Sequence, residues 1–270
     1  SATWTVTGSA AFVLGKEKGM AKITGITTGK IVDFGIKDSM NMGAAMAPAA
    51  KEVIRQHFED FGRSEKEYDR ITDENVTELS EAEGGFTVDF TKLQHENPDC
   101  IAWIRFDHLD ISYPVMKGTD NDYYLHHTFD GQELKAGSIF MDCQNTADFS
   151  DMNTIIYGHN MKNDTMFGLL HDFENKEGWE KDPYFYIDTP QGTWKYAIFS
   201  CFTVSDVNYT IYYDPSEEYT AYLERLKKKS AYDTGVEVSG QDHIVTLSTC
   251  TSAGSEYRYI VNGVLVEKVK

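Results

Sequence analysis

Between residues 101 and 268 the chain is a succession of short apolar runs cut by Gly, Pro, Asn and Asp. They fall at 101–106, 111–115, 137–141, 154–157, 184–188, 192–204, 244–248 and 258–268. Runs of this kind, bounded by such residues, read as strands. So many of them with little helix between leave few architectures open, and the spacing predicts a mostly β chain closed into an antiparallel or mixed barrel. One helix interrupts the late strands. Within 216–229, Tyr219, Tyr222, Leu223 and Leu226 share one face, Pro215 stands before it, and Lys227, Lys228 and Lys229 suit the negative end of the helix dipole.

The stretch 244–261, IVTLSTCTSAGSEYRYIV, carries the chemistry. Ile244, Val245 and Leu247 make an apolar strand that delivers Cys250 at its end. If the strand after Gly254 folds back as a hairpin, Arg258 returns beside that cysteine. A guanidinium there favours the thiolate and can stabilise an oxyanion formed next to it. The plainer alternative is a buried thiol and a surface charge, since free cysteine is among the most buried residue types. A second stretch, NTIIYGHN at 153–160, weighs against it. Gly158 permits a sharp strand exit that would leave the His159 imidazole exposed at the strand end. A histidine distant in sequence and near in space is the expected proton partner of a reactive cysteine. The other histidines, His57, His95, His108, His126, His127, His171 and His243, read as surface or packed residues.

TLSTC followed by a basic residue at the head of the next strand, together with YGHN, resembles the active-site signatures of the sortases. The run NPDCIAWIRFDHLDISYPVMKGTDNDYYLHHTFDGQELKAGSIFMD, at 97–142, extends the likeness to class B sortases over about residues 50–270. The resemblance implies a sortase-like closed β-barrel with N-terminal helices and one helix between the late barrel strands. It implies a cysteine transpeptidase with Cys250 as nucleophile, His159 as proton carrier and Arg258 at the oxyanion. It also implies that Ser248, Tyr157, Asn121 and Leu125 line the substrate groove, against the alternative that Leu125 and Tyr157 only pack the core. The expected partners are the sorting-signal peptide of secreted proteins and an amine acceptor from a cell-wall precursor or a protein. The expected location is the extracellular face of the cell membrane. One departure from the family is Ser252, where many members carry an acidic residue two positions after the cysteine. The competing functions are a non-catalytic surface-binding domain on the same scaffold and a hydrolytic cysteine peptidase.

Composition narrows the partners. A net charge of −18 is opposite to the footprint that binding to nucleic acid or anionic lipid requires. No cofactor or metal site is expected: the acids Asp120, Asp122 and Asp130 do not form a calcium loop, and the four cysteines lack CxxC spacing. Cys100, Cys143 and Cys201 read as buried thiols. Class B sortases carry an N-terminal membrane anchor; no run of about 18 apolar residues occurs here, so the expectation is a trimmed soluble ectodomain. Residues 1–47 stand apart. They hold no Tyr, His, Arg or Cys, and Lys16, Lys18, Lys22, Lys30 and Lys37 outnumber Glu17, Asp33 and Asp38. They read as an unassigned, weakly ordered leader, vector-derived or a foreign fusion segment. Residues 48–96 read as an N-terminal helical extension, with one helix around 53–61 and a more polar one over 65–82 ended by Gly84 and Gly85. Residues 97–270 read as the catalytic barrel.

Overall fold

The structure, a computed structural model, describes residues 2–5, 11–17, 20–27, 30–36, 46–78, 85–205, 212–214, 217–251 and 254–269. Side chains are described from residue 55 onward, His57, Phe58 and 254–256 excepted. The chain divides into two compact units, Ser1–Glu59 and Asp60–Lys270. Gly84, Pro215, Ser216 and Ser252, named above, lie outside the described residues, as do residues 79–82 of the expected second helix.

The first unit contains an antiparallel meander of β1 (Ala2–Thr5), β2 (Ala11–Glu17), β3 (Met20–Thr27) and β4 (Lys30–Ile36), hydrogen-bonded in that order. A weakly ordered leader was the expectation. Two-residue breaks ending in Gly, Lys18-Gly19 and Thr28-Gly29, separate three of these strands and are hairpin signals in their own right.

Helix α1 (Met46–Asn75) is one continuous helix where the sequence predicts two. It runs through Gly62, which in a helix interior costs only about 1 kcal/mol relative to Ala. Around that point its buried face is Phe61, Ser64, Glu67, Tyr68, Ile71 and Asn75, residues three or four apart with Glu67 beside Tyr68. The hairpin β5 (Val76–Glu78) and β6 (Phe86–Val88) follows. Asp89 then caps α2 (Phe90–Glu96) by accepting from the Lys92 N–H at 3.1 Å.

The remaining strands are β7 (Cys100–Phe106), β8 (Ser112–Met116), β9 (Ile139–Met141), β10 (Asn153–Tyr157), β11 (Tyr184–Thr189), β12 (Gly192–Val204), β13 (Ile244–Thr251) and β14 (Gly254–Lys268). They form a closed barrel in the order β10-β13-β14-β12-β11-β7-β8-β9. Pairing is antiparallel except for β10 with β13 and β8 with β9. The expected closed mixed barrel is therefore what the chain forms, with no open edge to manage. Short helices occupy the connections: α3 (Tyr123–His126), a 3-10 segment at Gly168–Glu174, and α4 (Lys176–Lys181). The expected late helix is α5 (Tyr219–Lys229), between β12 and β13.

Two cores result. Trp103, Phe106, Phe185, Val245 and Leu247 belong to the barrel's larger core. Tyr219, Tyr222, Leu223 and Leu226 of α5 pack with Ile155, Phe202, Ile244, Ile260 and Val264 in a second. Period-two alternation makes this division: on β13, Val245 and Leu247 take one face, while Ile244 takes the other, the face that Ser248 and Cys250 share. Among the described residues no helix is long and apolar enough to cross a membrane, and no group of three or more His, Cys, Asp or Glu could hold a metal.

Candidate active site

Hairpin pairing places Arg258 directly opposite Cys250 in the β13–β14 register, next to a shift between Cys250 and Thr251. Residues opposite one another in an antiparallel pair project to the same face, so guanidinium and thiol share a surface. Both residues are half-buried, and Arg258 Nη1 donates to the Tyr257 carbonyl at 3.0 Å. The third residue arrives on the parallel neighbour. Tyr157 of β10 pairs with Ser248 of β13, and the Gly158 N–H extends the ladder to the Ser248 carbonyl at 3.2 Å. His159 thus emerges at the end of the strand beside the one that ends in Cys250.

Gly158 is required here for space. A Cβ on it would collide with Ile139, and would stand 2.7 Å from the Phe167 ring. The imidazole is not exposed as the sequence suggests. It is half-buried, with Nε2 2.7 Å from the Leu125 carbonyl oxygen. A carbonyl only accepts, so Nε2 carries the proton and Nδ1 is the accepting nitrogen of the neutral ring. Burial lowers the His159 pKa below its ordinary 6.5; the Leu125 bond opposes this, while the charges of His126 and Arg258 reinforce it. Arg258 is therefore within electrostatic reach of the imidazole as well as opposite the thiol.

The Cys250 carbonyl is itself clamped. The Asn160 side-chain amide donates to it at 2.9 Å. In a parallel ladder the next main-chain donor after Gly158 would be the Asn160 N–H; its carboxamide replaces that donor as the backbone peels away. His171 Nε2 lies 3.1 Å from the same oxygen and 3.0 Å from Asn160 Nδ2, while its Nδ1 lies 2.7 Å from Glu174 Oε1. Its ring also stacks on Tyr259. Sequence reasoning assigned His171 to the surface or the core; the fold brings it to the cysteine.

The remaining predicted groove residues divide. Ser248 is buried on the Cys250 face of β13, and its hydroxyl has no hydrogen-bond partner. Leu125 contributes its carbonyl. Tyr157 and Asn121 converge on a residue that sequence reasoning missed, Asp142 at the end of β9. Asp142 Oδ2 accepts from Tyr157 and Tyr212 hydroxyls at 2.7 Å each and from Asn121 Nδ2 at 3.0 Å, while Oδ1 accepts from the Gln144 N–H at 2.8 Å. Burial alone would raise this carboxyl's pKa. The donors, Tyr212 foremost, outweigh burial and hold it below the usual carboxylate range. Tyr157 is thus neither simple core packing nor a free groove wall. Of the other cysteines, Cys100 and Cys201 are buried thiols pushed up to about 12 by burial, whereas Cys143 is only half-buried; all four are free.

Replacing Asp142 with Ala removes the acceptor of the Asn121 amide, the Gln144 N–H and two tyrosine hydroxyls, which keep only each other, 2.6 Å apart. We expect a loss of about 3 kcal/mol, in the upper range for single substitutions. Because the folded pKa is depressed, the contribution is complete at neutral pH and is lost only in acid, as pH falls below 3.8 through the folded value. Urea denaturation at pH 7 measures it; a difference under about 0.5 kcal/mol, the range of an inconsequential surface change, would show that the cluster holds nothing in place.

Comparison with known proteins bears on the fold that carries this site. The sortase-domain family model matches residues 104–266. Sortase B of Listeria monocytogenes serovar 1/2a is 38% identical over 181 residues, covering 65% of this chain and 73% of the relative. The solved Staphylococcus aureus sortase B–substrate complex superposes with a TM-score of 0.62 at 33% identity, over 67% of this chain and 85% of that one. The N-terminal part has a different likeness. The model for Stage V sporulation protein AD matches residues 1–100, and that protein of Bacillus subtilis is 51% identical over 71 residues, 26% of this chain and 21% of the relative. The barrel, the helix between its late strands and the extent of these matches place the chain in the sortase family, among the class B sortases.

Proposed function

We propose that the chain is a cysteine transpeptidase that cleaves a sorting signal in secreted proteins and joins the acyl group to an amine. The observation that carries this reading is the register that sets Arg258 opposite Cys250 while His159 ends the adjacent strand. Cys250, as thiolate, attacks a backbone carbonyl of the signal, and Arg258 faces the oxyanion that forms. The tautomer held by Leu125 makes Nδ1 the site that takes the Cys250 thiol proton, which gives the reactive thiolate–imidazolium pair from the neutral resting groups. From there His159 protonates the departing amine, which leaves a thioester on Cys250. The neutral ring then accepts a proton from the incoming amine as it attacks the thioester, which restores thiolate and imidazolium. The depressed pKa of His159 makes the proton easy to give up to the leaving amine.

Ser248, the Asp142-anchored Tyr157 and Asn121, and Leu125 are proposed to meet the signal peptide. The acceptor is proposed to be an amine of a cell-wall precursor or of a neighbouring protein, which puts the reaction in the cell envelope. The assay is incubation with a library of threonine-containing pentapeptides and an amine, with product masses read out. Peptide joined to amine is the expected outcome. Cleavage to the free acid alone would favour a hydrolytic peptidase, and no turnover with an unreactive Cys250 thiol would favour a binding domain.

Residues 97–270 are proposed to be the catalytic barrel and 48–96 an N-terminal helical extension, with 1–47 foreign to the enzyme. The likeness of the N-terminal part to a sporulation protein supports the last point, although that match extends past residue 47. Deleting 1–47 is expected to leave kcat/KM within about twofold, less than ~0.5 kcal/mol of barrier. A tenfold loss would make the leader part of the working enzyme.

A further inference from the structure

The carbonyl that holds His159 is itself held from behind. Gly137 adopts φ +55°, and a Cβ placed on it would stand 2.6 Å from the Leu125 carbonyl oxygen and 2.7 Å from that of Tyr124. Side chains disfavour both that backbone region and contacts that close, so glycine is the residue that lets this strand of the loop lie directly against the two carbonyls. The next N–H, of Ser138, donates to the Tyr124 carbonyl at 2.9 Å. Gly137 in turn is tied to α1. The Tyr68 hydroxyl, on a side chain buried within the fold, donates to the Gly137 carbonyl at 2.8 Å and lies 3.2 Å from Ser138 Oγ. Ser138 Oγ donates to the His127 carbonyl at 2.8 Å. One residue earlier on α1, Glu67 grips the other arm of the same loop, accepting from Thr128 Oγ1 at 2.8 Å and from the Asp130 N–H at 2.7 Å.

We propose that Tyr68 and Gly137 are positioning residues for His159: together they hold the Leu125 carbonyl at the point where it fixes the tautomer and tilt of the imidazole. The inference rests on the reading of His159 as the proton carrier. It gives α1 a role in the chemistry beyond covering the barrel. A hydrogen bond of 2.7 Å selects one ring nitrogen for the proton only while its acceptor stays in place. The acceptor here is main chain in a loop, and loops hold position through what packs behind them. Tyr68 and Gly137 supply that backing.

The test uses the full chain with 15N-labelled histidine. The His159 ring signals are assigned by their loss in His159→Gln, then compared in wild type, Tyr68→Phe and Gly137→Ala, with kcat and KM for signal-peptide cleavage measured alongside. Tyr68→Phe removes one hydroxyl and keeps the ring, so it serves as the variant that folds if Gly137→Ala does not. The wild type is expected to show the Nε2-protonated ring. Both variants are expected to show a mixture of tautomers, with kcat reduced and KM little changed. The loss is on the order of 100-fold for Gly137→Ala, as for misplacement of a reacting group by about 1 Å, and smaller for Tyr68→Phe. An unaltered His159 ring in the folded variants would overturn the inference, whatever the turnover. An altered ring with full turnover would uphold the positioning and remove His159 from proton transfer.

Discussion

Cys250→Ala is expected to abolish turnover and thioester formation while shifting the melting temperature by no more than about 3 °C, the size of a small surface change in a domain of this length. Its side chain is only half-buried, so loss of one sulfur opens no cavity in either core. The main chain at that position does not depend on the thiol. Its carbonyl is taken by Asn160 and approached by His171, and its register is set by pairing with Arg258. Without a nucleophile, what the site retains is binding and oxyanion stabilisation, which leave only residual hydrolysis. Measurable peptide-to-amine joining by purified Cys250→Ala would remove the nucleophile assignment. A collapse of the melting temperature would show that the thiol is structural after all.

Arg258→Lys is expected to lose nearly as much as Arg258→Ala, about 2.7–4 kcal/mol of transition-state stabilisation, or a factor of roughly 100–1,000 in kcat. The guanidinium is a planar fork of fixed donors, and part of it is already committed to the Tyr257 carbonyl. That bond holds the fork at a set angle opposite Cys250. An ammonium on a flexible stem keeps the charge and forfeits the geometry. If Arg258 acted through charge alone, on the thiol and on the imidazole whose pKa it helps to lower, Lys would preserve most activity. The pH optimum would then move mainly in the Ala variant. The pH–rate profiles of both variants separate the two cases, and near-wild-type kcat for Arg258→Lys would eliminate the oxyanion role.

What could be read from the sequence follows the range over which each feature is determined. Cys250 and Arg258 were legible because a hairpin is local: strand, short loop and returning strand lie within eighteen residues. The barrel strands were legible because apolar runs between Gly, Pro, Asn and Asp have few other solutions. The face of α5 was legible because eleven residues carry enough turns to display a period. By contrast α3, with four residues, is too short to show one. The break expected after Phe61 does not occur, because the modest cost of Gly62 is offset by the buried face that runs past it. Asp142 went unnoticed because its partners are scattered: Tyr212 lies 70 positions away and Asn121 21. His171 was one histidine among eight, and only the packing of a 3-10 segment against Tyr259 brings it to Cys250. The pattern NTIIYGHN did contain Asn160, and a carboxamide directly after the strand exit is the signal that could have suggested a ladder-mimicking donor.

The most direct measurement is the intact mass of the protein during reaction. Mixed with a signal peptide and no amine, the protein is expected to gain the mass of the acyl fragment, and peptide mapping should place the adduct on Cys250. The adduct should be labile to hydroxylamine, as a thioester is. Addition of an amine acceptor that supports joining in the peptide-library assay should discharge it, returning the free protein and peptide–amine product faster than water yields the free acid. Cleaved peptide without any adduct on Cys250, or an adduct that water discharges and no amine does, would contradict a cysteine transpeptidase at this site.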